Sequence, residues 1–174
     1  MQSEPAALKK SKTSLVVMVV LAVTVGFCVV LGILAAIFLP VFAQARVGAQ
    51  QTQCLANIKR LARTSLIYAA DFDDRLPLAE HWADDLAAYD PGIKTLGCPA
   101  HQGSKGYAYS SLAAGKSLGM LPKTTIVFFE SDLPGDNPVG KPSQNVIKPR
   151  HRNLINVGIA EGSARAFMPV QLAE

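Results

Sequence analysis

The sequence predicts an α+β protein in which a long N-terminal helix crosses a membrane, continues outside it and packs on a small antiparallel β-sheet. Three observations predict this arrangement. Residues 14–39 are apolar and uncharged, residues 40–72 repeat apolar side chains at helical spacing, and residues 73–174 contain short β-rich runs separated by glycine and proline. A helix followed by several short strands is typical of the α+β class.

The first element is the segment Ser14–Leu39, which holds 26 residues and no charged side chain. A bilayer core about 30 Å thick needs about 20 apolar residues in a helix, so the segment is long enough to span it. Its backbone polar groups find no water in hydrocarbon, which favours a helix despite the many valines. Gly32 and Ala36 form a small-xxx-small pair that lets membrane helices approach closely, although such residues also occur as plain lipid-facing positions.

The basic tail, residues 1–13, predicts the orientation. Half of the formal charge of +4 lies in this tail, which carries three lysines and one glutamate. Positive charge marks the cytoplasmic side of a span, so we expect a single-pass protein whose C-terminal domain is periplasmic or extracellular. Two alternatives to a permanent membrane anchor are a signal peptide that is cleaved after Ala45 and a helix buried in a soluble core. The uncharged segment is longer than such segments usually are in signal peptides or in soluble domains.

The helix is expected to continue beyond the membrane through residues 40–72. Pro40 lacks an N–H and clashes with the preceding turn, so we expect a kink there. One apolar stripe then follows at steps of three and four, formed by Cys54, Leu55, Ile58, Leu61, Ala62, Ser65, Leu66, Ala69 and Phe72. An amphipathic helix must bury its stripe, and residues 73–174 are expected to cover it.

The globular part, residues 73–174, is predicted to begin with a short helix around Glu80–Tyr89. Strands are predicted at residues 107–111, 125–130, 153–160 and 165–168, and a surface loop at 133–148. The tight turn Glu161-Gly162-Ser163 joins the last two strands into a hairpin.

Two cysteines, Cys54 and Cys98, fall in the part placed outside the cytoplasm, where disulfides persist. Their pairing would close a loop of about 44 residues and stabilise the fold by about 3–4 kcal/mol in the chain-entropy model. A zinc site that includes Cys98 and His101 is the alternative, but a second ligand pair at suitable spacing is missing. Cys28, in the membrane segment, is interpreted as a small hydrophobe.

The other candidate sites are weaker. Asp71, Asp73 and Asp74 offer the hard oxygens that Ca²⁺ prefers, but they lack EF-hand spacing, and a solvated helix end is the competing interpretation. The basic run 148–152 can contact phosphates, yet the domain is nearly balanced in charge, so we expect no nucleic-acid partner. No motif for a catalytic nucleophile or metal hydrolase is present, so we expect neither catalysis nor a cofactor.

Several ordered motifs resemble a bacterial family of type IV pilin-like, prepilin-like (pseudopilin-type) proteins. Residues 32–46, GILAAIFLPVFAQAR, resemble its ILAAILFPVFAQAR, and residues 51–59 and 68–77 resemble its RQTSCLSNLK and YAQDYDERFP. His151 followed, after nine residues, by Glu161-Gly162 matches its His-x(9)-Asp-Gly signature with glutamate in place of aspartate. If the last two strands pair, His151 and Glu161 are expected to lie close together, as a structural pair or, alternatively, as an acid–base pair.

The resemblance implies a pilin-like fold and a membrane-anchored structural subunit, related to type IV pilus or type II secretion components, that binds other pilin-like subunits. The membrane segment departs from the family: Met18 and Val23 stand where the resemblance places the glycine before the cleavage site and a membrane glutamate. A carboxylate in hydrocarbon needs a partner, such as the amine that cleavage creates. We therefore expect an uncleaved anchor, and the alternative function is a non-polymerising extracytoplasmic binding module.

Overall fold

The structure is a computed structural model that describes residues 12–101, 106–143, 147, 149–151 and 153–168. Its elements, in chain order, are helix α1 (Lys12–Asp71), helix α2 (Trp82–Tyr89), a 3-10 turn (Pro91–Thr95), strand β1 (Tyr107–Ser110), a second 3-10 turn (Leu118–Met120), and strands β2 (Ile126–Glu130), β3 (Val139–Gly140), β4 (Ile155–Ile159) and β5 (Ala164–Phe167). The predicted α+β class is confirmed.

The chain divides into two compact units, Met1–Ala45 and Arg46–Glu174, and α1 contributes residues to both. In the first unit the described residues are helical, and the helix is long and apolar enough to cross a membrane. Its side chains from Leu15 onward are exposed. Pro40 lies inside the helix, so the helical secondary structure continues through it as predicted.

The second unit contains a five-stranded sheet in the order β3-β1-β2-β4-β5. The pairs β1–β2, β2–β4 and β4–β5 are antiparallel, whereas β3 runs parallel to β1, so the sheet is mixed and not wholly antiparallel as predicted. The four predicted strands and the C-terminal hairpin are confirmed. Strand β3 lies in the segment that was predicted as a loop. It was not predicted, because a strand of two residues is too short to show an alternating pattern.

The sheet packs one face against the C-terminal part of α1. Side chains alternate along a strand, which places Phe128 of β2 and its partner Gly158 of β4 on this face. A Cβ atom at Gly158 would lie 3.0 Å from Cγ2 and 3.3 Å from the backbone oxygen of Ile58. Glycine at this position therefore lets the helix approach the sheet closely.

The main core lies between α1, α2 and this face. Trp82 is its centre: its ring centroid lies 5.8 Å from that of Tyr109 and 5.4 Å from that of Phe128. A second cluster covers the opposite face of the sheet with the buried residues Ala108, Phe129, Ile147, Ile155, Val157 and Ile159. The domain thus has apolar packing on both faces of the sheet.

The predicted stripe of α1 is buried at Cys54, Ile58, Leu61, Ala62, Ser65 and Ala69. The prediction is wrong for Phe72, whose side chain is 48% exposed and stacks on Tyr68 with a centroid distance of 4.2 Å. The helical spacing on which the prediction rests does not extend to Phe72, because α1 ends at Asp71.

Candidate functional site

Five polar or sulfur-containing side chains, which we call the buried cluster, lie inside the second unit. They are held by α1, by the segment before β1, by the end of β2, by the segment before β4 and by β4 itself. All are almost completely buried, and they are Cys54, Cys98, Glu130, His151 and Asn156. Buried polar groups are costly unless they are paired, so this concentration is the strongest candidate for a functional site.

The predicted disulfide between Cys54 and Cys98 is confirmed. The two Cα atoms are 5.2 Å apart, within the usual range for disulfides. The bond links α1 to the segment that follows the first 3-10 turn, across a sequence separation of 44 residues. It therefore fixes the helix to the domain by a covalent bond.

Glu130 is the centre of the polar contacts. Its Oε1 lies 3.1 Å from Nε2 of His151 and accepts a hydrogen bond of 3.0 Å from Nδ2 of Asn156. Its Oε2 accepts a hydrogen bond of 3.0 Å from the backbone N–H of Asn156. A buried carboxyl group is costly unless its oxygens are hydrogen-bonded, and these contacts supply partners to both oxygens of Glu130.

The disulfide lies beside this pair. Sγ of Cys98 is 3.9 Å from Oε1 of Glu130 and 3.8 Å from Nε2 of His151. The ligand atoms of Cys54, Cys98, Glu130 and His151 all lie within 4.8 Å of one another. Within the described part of the chain, no other group of three or more histidine, cysteine and acidic side chains is spaced for a metal ion.

Two atoms of the buried cluster have unused hydrogen-bonding capacity. Nδ1 of His151 and Oδ1 of Asn156 are buried and have no hydrogen-bond partner among the described residues. Each such atom in a folded protein calls for an explanation, such as an ion, a water molecule or a catalytic role.

The sequence analysis did not single out Glu130 and Asn156, because both lie in segments that were predicted only as strands. The available signal was a charged residue ending the buried run IVFFE and a polar residue within INVGI. Both positions face α1, as Phe128 and Gly158 do, because side chains two residues apart share a face.

The expectation that His151 and Glu161 lie together is wrong. The two strands do pair, but His151 precedes β4 whereas Glu161 follows it in the turn to β5, so they flank opposite ends of the same strand. Glu161 is exposed and accepts a hydrogen bond of 2.7 Å from Oγ of Ser163, which lowers the pKa of its carboxyl group. His151 instead contacts β2 through Glu130.

The backbone conformation at position 162 favours glycine. Its φ is +81°, in the left-handed region that other residues rarely adopt, and it lies in the turn between β4 and β5. A Cβ atom there would also lie 2.5 Å from Cδ1 of Leu66. The glycine of the predicted signature therefore serves the hairpin and its packing against α1.

The three candidate calcium ligands lie at the exposed end of α1, where Asp71 is the last helical residue, and in the turn that follows, which contains Asp73 and Asp74. Asp71 accepts a hydrogen bond of 2.8 Å from the hydroxyl of Tyr89, and Asp73 and Asp74 have φ values of 51° and 57°. Asp74 also donates its backbone N–H to the carbonyl of Ala69, at 2.8 Å. These carboxylates do not form a group spaced for a metal ion in the described part of the chain.

The other predicted positions contribute no ligand atom to the group of metal-ligating side chains found among the described residues. Nδ1 of His101 lies 3.3 Å from Oδ1 of Asp132, and the backbone N–H of His101 donates to the carbonyl of Cys98 at 2.9 Å. Arg150, from the predicted basic run, pairs with the same Asp132 and donates to the carbonyl of Gly106 at 3.0 Å. Lys148 and Arg152 lie outside the described residues.

The membrane-type part of α1 presents a surface with open space around its small residues. A Cβ atom at Gly32 or at Gly26 would meet nothing within 4 Å. Cys28, Gly32 and Ala36 follow one another at steps of four and so share one face of the helix. Cys28 is exposed and is the only cysteine outside the disulfide.

Comparisons of the chain with protein-family models, with curated proteins and with solved structures found no match. The resemblance to pilin-like proteins stays a prediction, and the function is argued from the helix and the domain.

Proposed function

We propose that the protein is a membrane-anchored, pilin-like structural subunit, related to type IV pilus or type II secretion components, that acts by binding other subunits. Helix α1 carries the proposal. It is 60 residues long, its first part is apolar and exposed, and its last part packs on a small sheet. One helix thus serves both as an anchor and as the central element of a folded domain.

The proposed orientation places the basic tail in the cytoplasm and the second unit in the periplasm or outside the cell. The excess of lysine before the apolar segment supports this direction. The disulfide between Cys54 and Cys98 supports it independently, since such bonds persist outside the cytoplasm.

Association is proposed to occur through the exposed apolar part of α1. Membrane helices associate by close packing and hydrogen bonds, because lipid tails are as apolar as the helices themselves. The face that carries Cys28, Gly32 and Ala36 has the small side chains that close packing requires. No charged residue lies in the segment, so packing would have to supply the stabilisation.

Cys28 provides a direct test. Native membranes containing the full chain are treated with a mild oxidant, and the products are separated without reduction. We expect a covalent dimer in the original chain and none in Cys28→Ser. We expect much less dimer in Gly32→Leu, because the leucine keeps two helices apart at this face.

Gly26→Leu is the matched control. Both glycines have open space within one subunit, so neither leucine disturbs the isolated chain. Gly26 lies six residues before Gly32, roughly 240° around the helix, and should retain the dimer. Absence of dimer in the original chain, or equal loss in both leucine variants, would contradict association through this face.

The second candidate is the non-polymerising, membrane-anchored binding module. It is favoured by Met18 and Val23, which replace the residues that the resemblance associates with processing and assembly. A chain that remains monomeric in membranes and is missing from sheared surface filaments would favour this candidate over the subunit.

A further inference from the structure

We propose that the buried cluster is a redox-controlled metal site: when the bond between Cys54 and Cys98 is reduced, both thiolates, Glu130 and His151 bind one Zn²⁺ ion. This inference goes beyond the proposed function and holds whether or not the chain forms assemblies. It rests on the four ligand atoms that lie within 4.8 Å of one another.

Three of the six distances among the ligand atoms, those among Cys98, Glu130 and His151, are close to the distances in a tetrahedral zinc site; Cys54 would complete the site after the disulfide is reduced. Zinc bonds of about 2.3 Å to sulfur and about 2.0–2.1 Å to nitrogen or oxygen place tetrahedral ligand atoms about 3.3–3.8 Å apart. Sγ of Cys98 lies 3.8 Å from Nε2 of His151 and 3.9 Å from Oε1 of Glu130, and Nε2 lies 3.1 Å from Oε1. These three edges agree with the tetrahedron to within a few tenths of an ångström.

The chemistry of the ligands selects the kind of metal. Two thiolates, an imidazole and a carboxylate form a donor set suited to Zn²⁺, whereas Ca²⁺ and Mg²⁺ require oxygen ligands. All four side chains are at most 2% exposed, which is typical of a closed structural site without an open position for substrate.

The neighbouring atoms can support the bound ion. Nε2 of His151 must present a lone pair to the metal, so the proton moves to Nδ1, the buried atom that has no partner among the described residues. Asn156 continues to donate both of its hydrogen bonds to Glu130 and orients the carboxylate. A metal-bound histidine usually donates its other ring N–H to a carboxylate, a carbonyl or a water molecule, so the proposal requires a water molecule or a small shift of the ring to supply an acceptor at Nδ1.

The interconversion needs an external reductant. A dithiol supplies two electrons and two protons, which break the sulfur–sulfur bond and give two protein thiols, and the dithiol leaves as a disulfide. Zn²⁺ then displaces both thiol protons to solvent and binds the thiolates. In the reverse direction an external disulfide takes two electrons from the two thiolates and two protons from solvent and leaves as a dithiol, the bond between Cys54 and Cys98 re-forms, and Zn²⁺ is released.

The ion would replace the disulfide as the link between α1 and the segment that carries Cys98. Glu130 belongs to β2 and His151 precedes β4, so the ion would also join these two parts of the sheet to α1, which the disulfide does not do. We expect the domain to remain folded in both states, with Zn²⁺ protecting the reduced state.

The test uses the untagged full chain in non-ionic detergent, reduced with a phosphine, which competes little for metal. Titration with Co²⁺ is followed by its tetrahedral absorption bands and its thiolate charge-transfer band. We expect one Co²⁺ ion per chain, displaced by one equivalent of Zn²⁺, and no such spectrum from the oxidised chain.

Variants distinguish metal binding by all four ligands from metal binding by the two cysteines alone. His151→Gln and Glu130→Gln should each weaken Co²⁺ binding by about tenfold or more. Cys28→Ser is the matched control and should bind like the original chain, since Cys28 lies outside the buried cluster. Equal affinity in all of these chains would overturn the proposal.

A measurement on the original chain does not depend on whether the substituted chains fold. X-ray absorption at the zinc edge of the reduced, zinc-loaded chain should show two sulfur and two nitrogen or oxygen ligands. Any other sulfur count, or failure of the reduced chain to bind the ion, would overturn the assignment.

Discussion

The packing of α1 on the sheet makes a quantitative prediction for Ile58. Its side chain is 0% exposed, and its Cγ2 and backbone oxygen would lie 3.0 and 3.3 Å from a Cβ atom placed on Gly158 of β4. Ile58→Ala removes three buried carbon atoms, worth about 2.4 kcal/mol at about 0.8 kcal/mol each. The cavity that remains adds to this cost, and buried isoleucine-to-alanine changes usually cost about 2–5 kcal/mol.

The same helix contains a matched control. Ile67 is 56% exposed, so Ile67→Ala removes the same atoms without leaving a cavity. We expect a change within about 0.5 kcal/mol for this variant. The higher helix propensity of alanine favours both variants by a few tenths of a kcal/mol, so it cancels in the comparison.

Unfolding of the full chain in non-ionic detergent can be followed by the fluorescence of Trp82. This is the only tryptophan in the chain, and it is 2% exposed in the core that Ile58 shares. A loss of about 3 kcal/mol should lower the urea midpoint by about 1–3 M. Equal midpoints for the two variants, or a lower one for Ile67→Ala, would refute the packing described here.

Three further predictions concern the disulfide, an ion pair and a turn. In the presence of a chelator, replacing both Cys54 and Cys98 by alanine should lower the free energy of unfolding by about 4 kcal/mol, measured by urea titration. Hydrogen bonding to Arg60 lowers the pKa of Asp90. The ion pair therefore stabilises the folded state at pH values above the unfolded pKa of Asp90, about 3.9, and this stabilisation is lost as the pH falls through the lower pKa of the folded state. In an acid titration, the free energy of unfolding of the original chain should therefore fall more steeply than that of Asp90→Asn. Gly162→Ala should lower the free energy of unfolding by about 1–2 kcal/mol, because φ is +81° there; a thermal midpoint equal to that of the original chain would contradict this.

Much of the fold could be predicted from periodicity. The long uncharged segment, the buried positions from Cys54 to Ala69 and the four longer strands all follow patterns that extend over several residues. Strand β3 and the exposure of Phe72 could not be predicted in this way. The first depends on two backbone contacts made by a loop, and the second on where α1 ends.

The candidate site could be predicted only in part. The disulfide followed from the cellular compartment expected for Cys54 and Cys98. His151 was singled out by the resemblance, but its partner was assigned wrongly, because the signature points along the chain to Glu161 whereas the contact is made across the sheet. Glu130 becomes visible as that partner only when β2 and β4 are placed side by side with their register.

We propose that the apolar part of α1 remains in the mature protein as an uncleaved membrane anchor. Mass spectrometry of the protein extracted from membranes tests it most directly, because it measures where the mature chain starts. We predict a chain that retains the whole segment 14–39 together with the basic tail before it. A chain that starts at Arg46, released from the membrane, or one that starts at Val19, cleaved within the segment, would contradict the account.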